Sequence, residues 1–156
     1  TRGTELQPLA MDELSKAIGV EFKEVGFCLD ESLPILGISP DGLSEDETVM
    51  CEIKCPGAKK HIQTCLEDDI PSDNIHQCLH YFTVNPKLEK LYFCSYRPEQ
   101  KLRPLFFKCL TRESAVNLGT KARPKMHTVS QAVEIARKEA ISINKQLNEA
   151  VDKLKF

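Results

Sequence analysis

Three residues in one short run, Asp41, Glu52 and Lys54, could do hydrolytic chemistry together. Asp41 sits in Ser39-Pro40-Asp41-Gly42, a turn signal in which proline presets φ and Gly42 permits a positive one. Glu52 and Lys54 lie two apart on a predicted strand over Val49–Lys54, so both point to one face of a sheet. A short apolar stretch, Ile35–Ser39, precedes the turn and reads as a strand. If the two strands pair as a hairpin around the acidic loop Ser44–Thr48, Asp41 approaches Glu52. Two carboxylates and one ammonium then surround a single point.

Two carboxylates are what a hard cation such as Mg²⁺ takes from protein, leaving water and phosphate oxygens to complete the octahedron. A cation held there polarises a scissile phosphate and lowers the pKa of a bound water. Lys54 would orient that water or stabilise charge on the phosphorus. The Ile53 side chain faces away, yet its backbone carbonyl is available as a further ligand. An isolated E-x-K is commonly only a surface pair on an edge strand. Here the pair alternates with Cys51, Ile53 and Cys55, and it follows an S-P-D-G turn at hairpin distance.

The elements that must position these groups are legible as a mixture of helices and strands. Residues 3–18 read as an amphipathic helix, with Leu6, Leu9 or Ala10, Leu14 and Ile18 near helical spacing and Gly19 as its stop. Val20–Leu29 alternates imperfectly, as a strand. After Pro56-Gly57, helices are predicted around Ala58–Glu67 and Ser72–Thr83, then a strand pair over Leu88–Tyr96 and Leu102–Leu110. Residues 119–128 are the loosest stretch. The tail from about Val129 to Leu154 is a long helix. Its stripe of Val133, Ile135 or Ala136, Ala140, Ile143, Leu147, Val151 and Leu154 is expected to face the core.

At 156 residues and 41% hydrophobic, the chain has the size and composition of one soluble domain, residues 1–156. No apolar run approaches a membrane span, and residues 1–20 lack the apolar core of a signal peptide. The first residue is Thr1 rather than Met, so an amino-terminal segment of the full protein is expected to be missing. A net charge of −2 does not advertise nucleic acid, so any DNA contact must come from local basic groups. Seven cysteines, an odd number mostly in apolar runs, read as reduced core thiols of a cytosolic protein. Only Cys51 and Cys55 are close, and no second ligand pair follows them.

The motifs around the triad resemble the PD-(D/E)XK nucleases, and within them the viral recombination exonucleases of the lambda-exonuclease or YqaJ type. Arg2–Ala10 (RGTELQPLA) is similar to that family's amino-terminal helix motif. Asp30-Glu31-Ser32 followed by Ser39-Pro40-Asp41-Gly42-Leu43 resembles its D-E-S…S-P-D-G-L stretch. Gln77-Cys78-Leu79-His80-Tyr81 fits Q-x-x-x-Y, and Leu91–Pro98 resembles the strand that follows. The likeness covers roughly residues 2–98.

That resemblance implies a restriction-endonuclease-like α/β (α+β) fold, a central mixed sheet flanked by helices. It implies Asp41, Glu52 and the Ile53 carbonyl as ligands of Mg²⁺ or Mn²⁺, and Lys54 as the catalytic lysine. Gln77 would organise the site, with Ser39 and Tyr81 from the same motifs in support. Asp30 is either a supporting acid or a plain turn aspartate. Gln7 stands where the family usually has a glutamate, and a neutral amide supplies no charge to a cation. Leu79 stands where a second glutamine is common. The implied activity is exonucleolytic, 5′ to 3′ on duplex DNA ends, in the cytoplasm of a bacterial host. A single-strand annealing protein as partner and a ring trimer as assembly are implied with it. The alternatives are an endonuclease or repair nuclease of the same superfamily, or a DNA-binding module without catalysis.

Of the four histidines, only His76 and His80 have a metal-like spacing, i and i+4 on a predicted helix. No third zinc ligand accompanies them, so they are expected to line the cleft or stand partly exposed. Lys59, Lys60 and Arg97, with Lys101 and Arg103, are candidate phosphate contacts on a nuclease. Lys121, Arg123 and Lys125 suggest a mobile basic loop.

Overall fold

The structure, a computed structural model, describes residues 1–30, 32, 33 and 36–155. Glu31 of the D-E-S motif and Ile35 of the predicted strand lie outside these. Helix α1 (Arg2–Ile18) ends where Gly19 takes a left-handed conformation at φ 71° and donates its N–H to the Ser15 carbonyl. It buries Ala10, Met11 and Leu14. Of the two predicted alternatives, Ala10 faces inward and Leu9 is 53% exposed.

Two-residue strands β1 (Cys28–Leu29) and β2 (Gly37–Ile38) form a small antiparallel pair. The strand expected over Val20–Leu29 shrinks to β1, apart from a single bridge between Lys23 and Leu43. The four-stranded sheet runs β3 (Gly42–Leu43), β4 (Val49–Lys54), β5 (Lys90–Tyr96) and β6 (Leu105–Thr111). The pairing of β4 with β5 is parallel, which requires a crossover. Helices α2 (Ala58–Glu67) and α3 (Ser72–Val84) supply it. The hairpin differs from the expected one: β2 pairs with β1, and Gly42–Leu43, after Asp41, pairs with β4.

Strand alternation sorts the side chains into two layers. Cys51, Ile53, Cys94 and Tyr96 pack under α1 with Ala10, Met11 and Leu14. Met50, Leu91, Phe93, Phe106 and Leu110 face the opposite way, against Cys78 and Phe82 of α3. Glu52 and Lys54 share the face of Met50 and therefore look toward α3. The carboxyl end of α3 is gripped by two arginines. Arg112 donates to the carbonyls of Leu88 (2.9 Å) and Asn85 (3.0 Å), and Arg137 donates to that of Thr83 (2.7 Å).

Residues 119–128, the loosest stretch of the sequence, belong to a hairpin, with Lys121, Arg123 and Lys125 exposed in its turn. Strands β7 (Ala115–Asn117) and β8 (Met126–Thr128) form a hairpin. The Asn117 side-chain carbonyl accepts the N–H groups of Gly119 and Lys125, both at 2.9 Å, which ties the two arms. Helix α4 (Val129–Lys153) starts on a capping box between Thr128 and Gln131. Its stripe faces the core only in part, with Val129, Ala132 and Ala140 buried. Ile143, Leu147, Val151 and Leu154 are exposed, because the helix runs past the layer it packs on. No described helix is long and apolar enough to cross a membrane.

Arg137 of α4 also clasps Asp30, with Nη1 2.7 Å from Oδ2. The other carboxylate oxygen accepts the Ser32 N–H and hydroxyl and the Leu33 N–H. Burial alone would raise the Asp30 pKa, but the Ser32 hydroxyl, Arg137 and the two N–H groups outweigh it and hold the acid at about 2. A folded-state pKa below the unfolded value gives stability that is present above about pH 4 and lost as pH falls toward 2. Replacing Asp30 by Ala should therefore cost about 3 kcal/mol at pH 7, the lower end for a broken buried pair. In denaturant titrations the gap between the two proteins should narrow as pH drops from 4 toward 2.

Candidate active site

Asp41 is placed by the backbone of β4. Its N–H donates to the Cys51 carbonyl at 3.2 Å, and its Oδ2 accepts the Ile53 N–H at 2.7 Å. Gly42 pairs with Cys51 and Leu43 with Met50, so one further step of the register sets Asp41 across from Glu52. Gly42 is required here for space, since its φ is not among the positive ones. A Cβ on it would lie 2.7 Å from Cys51 Sγ and 2.9 Å from the Phe22 Cβ. The bend at Asp41 thus depends on a close approach, and the left-handed turn expected from the sequence does not form.

Glu52 is 3% exposed, and both of its oxygens are engaged. Lys54 Nζ is 2.9 Å from Oε1, and the Tyr81 hydroxyl donates a short hydrogen bond to Oε2. Gln77 donates to that hydroxyl at 3.2 Å. Tyr81 has one proton, so the Ser39 carbonyl, 3.5 Å away, is only a neighbour of the oxygen. Gln77 and Tyr81 are four apart on α3 and meet for that reason. Glu52 pairs with Phe93 and Lys54 with Ser95 on the parallel neighbour, which fixes both in a central strand.

The electrostatics follow from crowding two acids in a half-dry place. Burial pushes the Asp41 carboxyl up, and the charge of Glu52 pushes it further, to about 6. The Ile53 N–H, Lys54 and the Gln7 amide pull the other way and do not cancel the rise. Gln7 therefore stands beside Asp41, as the amino-terminal motif implied, and brings no charge. For Lys54, burial lowers the pKa, but the hydrogen bond and charge of Glu52, with Asp41, leave it above its ordinary value. The ammonium stays charged at any working pH.

This donor set suits a divalent cation. Two carboxylates converge beside Lys54, and their repulsion is what such an ion would relieve. Among the described residues no group of three or more His, Cys, Asp or Glu gathers anywhere, so a cation here would take two carboxylates and complete its shell with other oxygen donors. Zinc at His76 and His80 has no support. His76 is exposed, while the His80 ring hydrogen-bonds the Gly37 carbonyl at 3.0 Å.

Other predicted site residues fall into place unevenly. Asp30 is spent on its clasp with Arg137 and is a structural aspartate in this geometry. Lys59 stands exposed at the start of α2 and enters no ion pair among the described residues. Lys60 is held by Asp73 of α3 at 3.1 and 3.2 Å. Arg97 donates to the Pro56 carbonyl at 3.3 Å and steadies the turn after Lys54. The partner of His80, the Gly37 carbonyl, was not foreseen from sequence, nor was Arg2, which forks onto Glu99 at 2.6 and 2.8 Å. No spacing rule links Arg2 to a partner 97 residues away.

A mixed sheet with an acid and a lysine on a central strand, and a second acid at the start of its neighbour, fits the PD-(D/E)XK class of nuclease architecture. A family profile, the YqaJ-like viral recombinase domain, matches residues 1–87, and the chain belongs to that family. A search of curated protein sequences gives no match. Among solved structures, the chain is similar to LHK-Exo in complex with dAMP, at 25% identity and a TM-score of 0.67 over 99% of this chain and 74% of that one. It is also similar in fold to an alkaline exonuclease, LHK-Exo from Laribacter hongkongensis, at 23% identity and a TM-score of 0.58, over 97% and 73% of the two chains.

The Asp41 carboxyl should titrate with a midpoint near 6 in metal-free protein. Its folded pKa lies above the unfolded one, so the fold binds the proton more tightly and loses stability as pH rises from about 4 to 6. Carbon-detected NMR of the side chain should show that midpoint, and Glu52→Gln should move it only part of the way down, because burial, the larger cause of the rise, remains. A midpoint near 4 in the unaltered protein would remove the repulsion argued here.

Proposed function

We propose that this chain is a divalent-metal-dependent DNA exonuclease of phage-type recombination, with Asp41, Glu52 and Lys54 as its working centre. The observation that carries this is their convergence, supported from α3 by Tyr81 and Gln77, within the stretch matched to the family. The cation would be Mg²⁺ or Mn²⁺, held by Asp41, Glu52 and the Ile53 carbonyl. When bound it supplies a Lewis acid for phosphate and a more acidic water.

The chain's own groups divide the rest. Asp41 is aimed by the Ile53 N–H, which holds one of its oxygens. Tyr81 keeps Glu52 from turning away, so the acid need not reorganise when substrate arrives. Lys54 balances Glu52 in the free enzyme and remains charged, ready to orient a water or steady charge on the phosphate. Exposed Lys59, one turn beyond the lysine strand, is suited to a DNA phosphate.

The action on duplex ends, 5′ to 3′ and leaving a 3′ tail, belongs to the same proposal by family likeness. So do an annealing protein as partner, a ring trimer and the cytoplasm of a bacterial host.

Linear duplex labelled at each end should be degraded with release of 5′ label in Mg²⁺, while closed circular DNA stays intact. Cutting of the circle would replace the exonuclease with an endonuclease. Lys54→Ala should lower kcat on the order of 10²–10³-fold, the usual loss of one preorganised electrostatic group. Cleavage undiminished in that variant would refute the assignment of the centre.

A further inference from the structure

Asp41 ends a stretch, Gly37 to Asp41, that has few bonds of its own. Strand β2 is two residues long, and its partner β1 is no longer. Gly37 offers no side chain, and a Cβ there would overlap the Phe27 ring at 2.2 Å. The Ser39 carbonyl gains no proton from Tyr81, whose hydroxyl is committed to Glu52. What joins this stretch to a rigid helix is the His80 ring, whose Nε2 lies 3.0 Å from the Gly37 carbonyl. A carbonyl only accepts, so Nε2 carries the proton and donates it.

Helix α3 thereby touches Glu52 and the stretch leading to Asp41 through consecutive residues. Tyr81 holds Glu52 directly, and His80 holds the chain four residues before Asp41. Both ends of the pair are referenced to one helix turn, which is itself fixed by Arg112 and Arg137. We propose that His80 is a positioning residue for the metal centre: its bond to the Gly37 carbonyl sets the approach of Asp41 to Glu52 and so tunes cation affinity. This rests on the reading of Asp41 and Glu52 as the cation site.

The mechanism makes a chemical demand that simple packing does not. Glutamine places an Nε2–H the same number of bonds from the backbone as histidine does, so it can donate to Gly37. Leucine fills similar space and cannot donate. Calorimetric titration with Mn²⁺, without DNA, should show His80→Leu binding about tenfold more weakly, as for loss of other groups that orient metal ligands. His80→Gln should bind close to the unaltered protein. In digestion assays, His80→Leu should need more Mn²⁺ for half-maximal rate, with kcat at saturating Mn²⁺ kept.

Glu52→Gln serves as the control that separates the two claims. If it binds Mn²⁺ as well as the unaltered protein does, the cation site itself is misplaced and the role of His80 goes with it. If Glu52→Gln loses Mn²⁺ while His80→Leu retains full affinity, the site stands and the positioning role is overturned. Equal loss in the leucine and glutamine variants would likewise overturn it, since the donated hydrogen bond would then not matter.

Discussion

Two carboxylates are forced together at the edge of a central strand, and the rest of the site is organised around that repulsion. Acids directly opposed across two strands, about 5 Å apart, repel by about 3 kcal/mol at an effective dielectric near 20. The protein does not avoid this conflict. Three donors hold the pair in place, the Ile53 N–H on Asp41 and Lys54 and Tyr81 on Glu52. Burial first, and the charge of Glu52 second, raise the Asp41 carboxyl to about 6. Asp41 and Glu52 would hold a divalent cation, whose charge would offset their repulsion.

The fold is arranged to keep that pair rigid. β4 is buried on both faces, under α1 on one side and α3 on the other, so Glu52 has little freedom to relax. The parallel pairing with β5 forces the chain through α2 and α3 before it returns. That crossover is what brings Gln77, His80 and Tyr81 over the acids. Asp30 and Arg137 act further out, binding α4 and the end of α3 to the loop that leads into β2. Sites supported from regular elements in this way hold geometry better than sites built from loops.

Much of this was legible in the sequence where local pattern decides structure. Val49–Lys54 formed as read, because alternation and the Pro56-Gly57 stop leave little choice, and so did Ala58–Glu67. The partner of β4 was misread: the apolar stretch before Asp41 looked the better strand, but Gly42 lets Cys51 and Phe22 close in on the residues after it. Asp30 looked equally able to serve a metal or a turn, and only its distant partner Arg137 decides for the clasp. The 115–128 hairpin was hidden because one asparagine side chain, rather than an apolar pattern, ties its arms. The α4 stripe continues along the whole helix, whereas the layer beneath it stops near Ala140. Tyr81 and Gln77 were reachable only through the family's Q-x-x-x-Y pattern; the spacing of His80 from His76 drew notice to it, but not to its bond with the distant Gly37 carbonyl.

The most direct test is the anomalous scattering of crystals grown with Mn²⁺. A peak is expected between the carboxylates of Asp41 and Glu52, within coordination distance of both. A peak elsewhere, at Asp30 or at His76 and His80, or none at the Asp41–Glu52 pair, would contradict it.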